Sequence, residues 1–157
     1  MDNGDGTVTD GNTGLMWEKK CDGCRGLHDV GNAYPWTGDG SQDTVWDWIE
    51  DLNREDGVGF AGYSDWRLPN ARELQSLIDY GRFNPAVGVA FDADDCGRGC
   101  GSITDPACSC TRQSYYWSST TFADFPAHAV VVGFHLPLVG DRVKTDRSFV
   151  RAVRGGL

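Results

Sequence analysis

The sequence predicts a single α+β domain, and three observations lead there. Short β-rich runs lie at both ends of the chain, two amphipathic helical segments lie between them, and a Cys- and Gly-rich stretch at 92–113 shows no periodicity at all. At 157 residues the chain is long enough to bury one sizeable core, and it contains no internal repeat.

The opening run "DNGDGTVTDGNTGLMWEKK" is dense in Gly, Asp and Asn before "TVTD", which alternates as a strand does, and Gly11-Asn12-Thr13-Gly14 turns the chain into "LMWEKK". It reads as a β-hairpin. The same letters can be tested as a calcium loop by placing Gly6 at the sixth position of the twelve-residue template. Asn3 and Asp5 then occupy ligand positions three and five, but Met1 falls at one and Asn12 at twelve, where a bidentate carboxylate is required. Calcium at Asn3 and Asp5 is thus the alternative to a plain turn, and no other cofactor is indicated.

"DTVWDWIEDLNRE" at 43–55 puts Val45, Trp48, Ile49 and Leu52 on one helical face, with Asp43 as the N-cap. "PNARELQSLIDYG" at 69–81 predicts a second helix, capped by Asn70 with Glu73, buried along Leu74, Leu77 and Ile78, and ended by Gly81. The loop that follows holds Asp92, Asp94 and Asp95. Beyond it, "YYWSSTTF" (115–122), "HAVVVGFHL" (128–136) and "SFVRAVRG" (148–155) read as strands, with Gly140-Asp141 turning the chain between the last two. Short strands at both termini are expected to pair in one sheet.

Six Cys occur at 21, 24, 96, 100, 108 and 110. An even count in polar, Gly-rich segments, without the helix or knuckle of the usual zinc modules, reads as disulfides from an oxidising compartment. A Cys21–Cys24 bridge is expected, with Cys108 and Cys110 each pairing with Cys96 or Cys100. Four thiolates within this run also suit a tetrahedral zinc, and that alternative stays open here.

A net charge of −9 argues against nucleic acid as a partner. The balance is uneven: residues 112–157 carry six basic side chains (Arg112, Arg142, Lys144, Arg147, Arg151, Arg154) against Asp124, Asp141 and Asp146. No run reaches the ~18 apolar residues of a membrane span, and no export signal opens the chain, so the protein is either soluble or had its signal removed. Trp117 and Phe122 read as core. Tyr115, Tyr116, Ser118, Thr120, Asp124 and Phe125, with Arg142, Lys144 and Arg147 on the adjoining hairpin, form the candidate binding surface, because Tyr and Ser are inexpensive to order and Arg and Lys hold sulfate or carboxylate. Asp65, Trp66 and Arg67 in "DWRLP" read as a core anchor rather than a ligand platform. Of three His, His135 reads as a hydrogen-bonded structural residue in a buried strand, and no nucleophile with a partner base is evident, so catalysis is not expected.

Four ordered motifs, "DNGDGTVTDGNTGLMWEKK", "GYSDWRLPNARELQSLIDYGR", "YYWSSTTF" and "VRAVRGG", resemble those of the C-terminal domain of bacterial collagen-like adhesins over nearly the whole chain. That family is similar to the C-type lectin-like fold. The resemblance implies two helices packed on a twisted antiparallel sheet, long binding loops, and extracellular or cell-envelope display. It also marks a departure: the last motif often carries Cys where this chain has Ala152. The Glu-Pro-Asn, Gln-Pro-Asp and Trp-Asn-Asp triplets of calcium-dependent sugar binders are absent. Related formylglycine-generating enzymes use a Cys pair near the C-terminal motifs, whereas no Cys follows 110 here. The expected function is therefore a non-catalytic, adhesin-like binding module for an anionic glycan or a protein partner, acting as single or multiple copies. The alternative is a structural subunit or cap of an envelope assembly.

Overall fold

In the computed structural model, which describes residues 1–93 and 96–155, the chain forms two helices and two sheets. The first sheet begins with the expected hairpin: β1 (Thr7–Thr9) pairs antiparallel with β2 (Met16–Glu18), Val8 opposite Trp17. Its turn is held by Asp10, which accepts from the Asn12 N–H and the Thr13 hydroxyl, and Gly14 adopts the left-handed backbone (φ +70°) that a side chain would resist. The last strand, β8 (Val153–Arg154), pairs with β2, so the two ends of the chain share this sheet as expected.

The second sheet has the order β3-β7-β4-β5-β6, with β3 at Ala33–Pro35, β4 at Tyr115–Thr121, β5 at His128–Gly133, β6 at Leu138–Val143 and β7 at Arg147–Phe149. It is mixed rather than purely antiparallel, because β4 and β7 pair in parallel at Tyr116 and Phe149. Gly140-Asp141 does not turn the chain. Both residues lie within β6, opposite Val131 and Val130, and the reversal falls at residues 134–137 instead. β6 is an outer strand, where Gly and Asp are tolerated and a weak hydrophobic pattern suffices. The run from 148 to 155 is likewise not one strand: Val150, Arg151 and Ala152 are all buried as the chain crosses from one sheet to the other, which no single alternating strand permits.

Helix α1 (Val45–Arg54) buries Val45, Trp48 and Leu52, but its cap is Thr44 rather than Asp43. The Thr44 hydroxyl accepts from the Trp46 N–H, while the Asp47 carboxylate accepts from the Thr44 N–H, closing a capping box. Helix α2 begins as predicted: Asn70 accepts from the Arg72 and Glu73 N–H groups and Glu73 accepts from Asn70. It ends at Gln75, however, well short of Gly81. The Ser76 hydroxyl donates to the Glu73 carbonyl, and beyond it the chain takes a different partner, with Asp79 N–H on the Ala86 carbonyl and Ile78 bridging to Val87. Leu74 and Leu77 still reach the core.

Adjacent residues on the central strands point to opposite faces, and this divides the interior. Tyr116 and Val132 join Trp17, Leu74, Leu77, Phe134 and Val153 on one side; Trp117 and Val131 join Trp48, Leu52, Trp66 and Val150 on the other. Trp66 and Arg67 act as the core anchor expected of them. The Trp66 indole donates to the Phe60 carbonyl, and Arg67 forks onto the Glu73 carboxylate at 2.7 Å through both nitrogens and reaches the Gly155 carbonyl at 3.0 Å.

All six Cys are paired: Cys21 with Cys24, Cys96 with Cys110 and Cys100 with Cys108. The nested second and third bridges staple the long loop. Asp92 is described within it, whereas Asp94 and Asp95 lie outside the described residues.

A cluster of buried charge joins the halves of the molecule. Glu18 has no exposed surface; one of its oxygens receives Lys20 Nζ at 2.7 Å and His28 Nδ1 at 2.8 Å, and the other receives the Ala152 N–H at 2.9 Å. His28 Nε2 reaches the Glu55 carboxylate at 3.1 Å. Burial alone raises the Glu18 pKa, but the Lys20 charge and the His28 bond outweigh it and hold the carboxyl below its ordinary range. Burial likewise lowers His28, and its bonds to Glu18 and Glu55 reverse that, leaving the imidazole above its ordinary value.

Candidate functional site

The pairing of β4, β5 and β6 decides which side chains share a face. Tyr115 lies opposite Gly133, which lies opposite Leu138, and Ala129 lies opposite Arg142, so Tyr115, Leu138 and Arg142 stand on one side of the sheet. Lys144, two residues past Arg142, continues that side at a spacing of about 7 Å. Its backbone is fixed from both directions, with its N–H on the Ala127 carbonyl and its carbonyl receiving the Trp36 and Thr37 N–H groups.

These residues form a stripe in which each cation lies over a ring. Lys144 Nζ sits 4.0 Å from the centroid of the Trp36 ring and donates to the Thr121 hydroxyl at 2.8 Å. The Trp36 indole donates to the Ser118 carbonyl, and its ring meets Trp46 edge-on at 4.8 Å. Farther along, the Arg142 guanidinium lies 5.5 Å over Tyr115, whose ring meets His135 edge-on at 4.8 Å. Trp46 is 41% exposed. Aromatic faces of this kind accept the C–H face of a sugar ring, and the ammonium and guanidinium offer donors to sulfate or carboxylate.

The predicted surface is brought together only in part. Tyr115, Arg142 and Lys144 belong to the stripe. Tyr116 and Ser118 are buried, which corrects the expectation that they are exposed: the Tyr116 hydroxyl accepts from the Arg112 N–H, and the Ser118 hydroxyl donates to the Val130 carbonyl. Thr120 is half-buried, its hydroxyl accepting from Ala71 N–H at the start of α2. Asp124 and Phe125 are exposed in the turn after β4, where Phe125 stacks on Phe122 at 6.1 Å and lies 5.8 Å from His128. Phe122 is half-buried against it rather than in the core. His128 pairs with Asp141 at 2.6 Å on the opposite side of the β5–β6 ribbon from Arg142. Arg147 is exposed, but it ties Gln42 and the Ala33 carbonyl together.

The six cations of the last third therefore do not make one surface. Arg151 is buried against the Cys110 carbonyl and Thr111, Arg154 pairs with Asp65 and covers Tyr63, and Arg112 stands near Asp22. Arg142 also contacts Asp146 at 3.4 Å. His135 is not the hydrogen-bonded strand residue expected: it lies in the reversal after β5, and its buried Nδ1 has no hydrogen-bond partner among the described residues. Sequence reasoning missed Trp36 and Trp46. The signal was present in Trp46, a large ring placed outside the Val45, Trp48 and Leu52 stripe of an amphipathic helix.

In the opening turn, Asn3 donates to the Thr7 and Thr9 hydroxyls at 2.8 and 2.9 Å, and Asp5 accepts from the Thr7 N–H and hydroxyl at 3.0 and 2.6 Å. Both side chains serve the turn. Among the described residues, no group of three or more His, Cys, Asp or Glu is arranged to hold a metal ion, and no helix is long and apolar enough to cross a membrane.

No curated protein matches the chain. The family model of the Lcl C-terminal domain matches residues 6–154, nearly the full length, and the chain belongs to that family.

Proposed function

We propose that this domain is a non-catalytic, adhesin-like binding module of the cell surface or extracellular space, with C-type lectin-like architecture, that holds an anionic glycan along the stripe from Trp46 to His135. The observation that carries the reading is the pairing of Lys144 with Trp36 and of Arg142 with Tyr115. Rings would take the apolar faces of successive sugars while the two cations take their sulfates or carboxylates. Three disulfides and membership of an adhesin domain family support display in an oxidising, extracellular setting. A shallow stripe with two cations gives modest affinity per copy, which multiple display would raise.

The test is biolayer interferometry on immobilised heparin and on neutral dextran, at low and physiological salt. Binding to heparin alone, weakened by salt and lowered about tenfold in the Arg142→Ala, Lys144→Ala double variant, is the expected result. Equal binding to dextran, or no effect of the double variant, would refute it. A second reading, a subunit or cap of an assembly, is favoured by the outer strand β6, which exposes Val139 and Val143 beside Leu136. A concentration-dependent rise in mass by light scattering, abolished by Val139→Lys, would support it.

A further inference from the structure

A cleft of about 730 Å³ opens between the stapled loop, the turn at Asn84-Pro85 and the segment leading into β4, away from the aromatic stripe. Its volume suits one or two sugar rings. What distinguishes it is a concentration of polar groups that the fold does not use. Gln113 donates through Nε2 to the Asn84 carbonyl at 2.8 Å, which leaves its amide oxygen without a partner among the described residues. The Asn84 side-chain amide and the Ser114 hydroxyl are likewise without hydrogen bonds to the described residues. By contrast, the adjoining Thr111 hydroxyl and Tyr116 hydroxyl are both bonded internally.

Across the cleft, Arg112 Nη2 and Asp22 Oδ1 face each other at 3.8 Å, too far for a direct hydrogen bond. One hydroxyl placed between them can accept from the guanidinium and donate to the carboxylate, each at an ordinary distance. Both side chains are partly exposed, so such a hydroxyl has access. The half-buried Phe149 ring supplies the apolar surface beside these groups, with the buried Val30 and Pro85 also in the lining. Asp22 and Arg112 bring opposite charges to the lining, which suits a neutral ligand better than an anion.

We propose that this cleft is a second binding site, for a neutral saccharide of one or two pyranose rings. Ring hydroxyls bridge Asp22 and Arg112 and engage Gln113, Asn84 and Ser114, and the C–H face of the ring lies on the apolar strip. A polyhydroxylated ring fits because it supplies donors and acceptors in equal measure, as the lining does. The Cys96–Cys110 bridge borders the cleft, so its shape depends on oxidation.

The experiment is saturation-transfer NMR on the oxidised full chain with methyl α-mannoside, methyl β-galactoside and N-acetylglucosamine, together with amide shift mapping. Transfer to at least one of the three is expected, with shifts at Asp22 and Arg112 to Ser114. Affinity should fall about tenfold or more in Asp22→Asn and in Gln113→Ala, and stay unchanged in the Arg142→Ala, Lys144→Ala variant. Asp22 is partly exposed and Gln113 exposed, so neither variant opens a core cavity, and thermal melts of both should stay within about 3 °C of the parent. Absence of transfer to all three sugars, transfer undiminished in both cleft variants, or shifts confined to Trp36 and Lys144 would each overturn the proposal. Because the stripe variant is scored separately, failure here leaves the heparin result intact.

Discussion

Replacing Glu18 by Gln tests how the buried charges are held. The Gln side chain keeps the shape and can still accept the Ala152 N–H, but it removes the one charge among the described residues that faces both Lys20 and His28 at hydrogen-bond distance. Lys20 is 1% exposed, and its other contacts are the Leu27 carbonyl at 3.2 Å and the Trp48 ring at 4.6 Å, neither of which neutralises an ammonium. Breaking a buried pair from one side costs about 3–5 kcal/mol. With about 2.1 cal/mol/K of unfolding entropy per residue, a chain of this length has roughly 0.33 kcal/mol/K, so the melting temperature should fall by about 9–15 °C. Differential scanning calorimetry of the oxidised protein at neutral pH measures this directly. The control is the Glu18→Gln, Lys20→Met double variant, which removes both charges and should recover most of the loss. A fall of less than about 3 °C, or a double variant no better than the single one, would show that the pair is not what the Lys20 charge depends on. The pH dependence follows in sign. Because the Glu18 pKa is lowered on folding, its stabilisation is present above the unfolded carboxyl value, about 4.3, and disappears as the pH falls through the lower folded value.

Three further outcomes are expected. The His28 pKa is raised on folding, so its contribution is complete below about pH 6.5 and lost as pH rises through the higher folded value; NMR titration of the ring should show the raised midpoint, and His28→Asn should flatten the melting temperature across that window. Asn70→Ala removes the acceptor for two N–H groups at the start of α2 and should cost about 1 kcal/mol, or roughly 3 °C, whereas Asn70→Asp should be near neutral. Removing the Cys100–Cys108 bridge as a Ser, Ser pair opens a loop of short span and should cost about 2–3 kcal/mol, read by chemical denaturation without reductant.

Features set by neighbouring residues were legible in the sequence. The first hairpin, the Asn70–Glu73 capping box, the disulfide grouping and the anchoring role of Trp66 and Arg67 each depend on short spacings or on chemistry confined to a few residues. Apart from the pairing of the two chain ends, features set by distant partners were not. The three charged residues at 18–20 carry no local sign of burial, yet all three side chains are buried, Glu18 and Lys20 in the charge cluster and Lys19 against Asp2 and the Asp105 carbonyl. Strand β6 was hidden because a Gly-Asp pair reads as a turn unless a neighbouring strand holds it extended. Of the candidate site, Tyr115, Arg142 and Lys144 were foreseen, but Tyr116 and Ser118 differ from Tyr115 only by which way the strand points them, and Trp36 joins the stripe through backbone bonds to Lys144, more than a hundred residues away.

The crossing from residue 150 to 152 has a mechanical consequence for a module that holds a ligand. On the proposed reading, a load applied between the ligand stripe and β8 passes from one sheet to the other through this short link. The link is clamped along its length: Arg151 grips the Cys110 carbonyl inside the stapled loop, and the Ala152 N–H is bonded to Glu18. Force is thereby shared with the covalent Cys96–Cys110 bridge and with β2 before it can peel a strand.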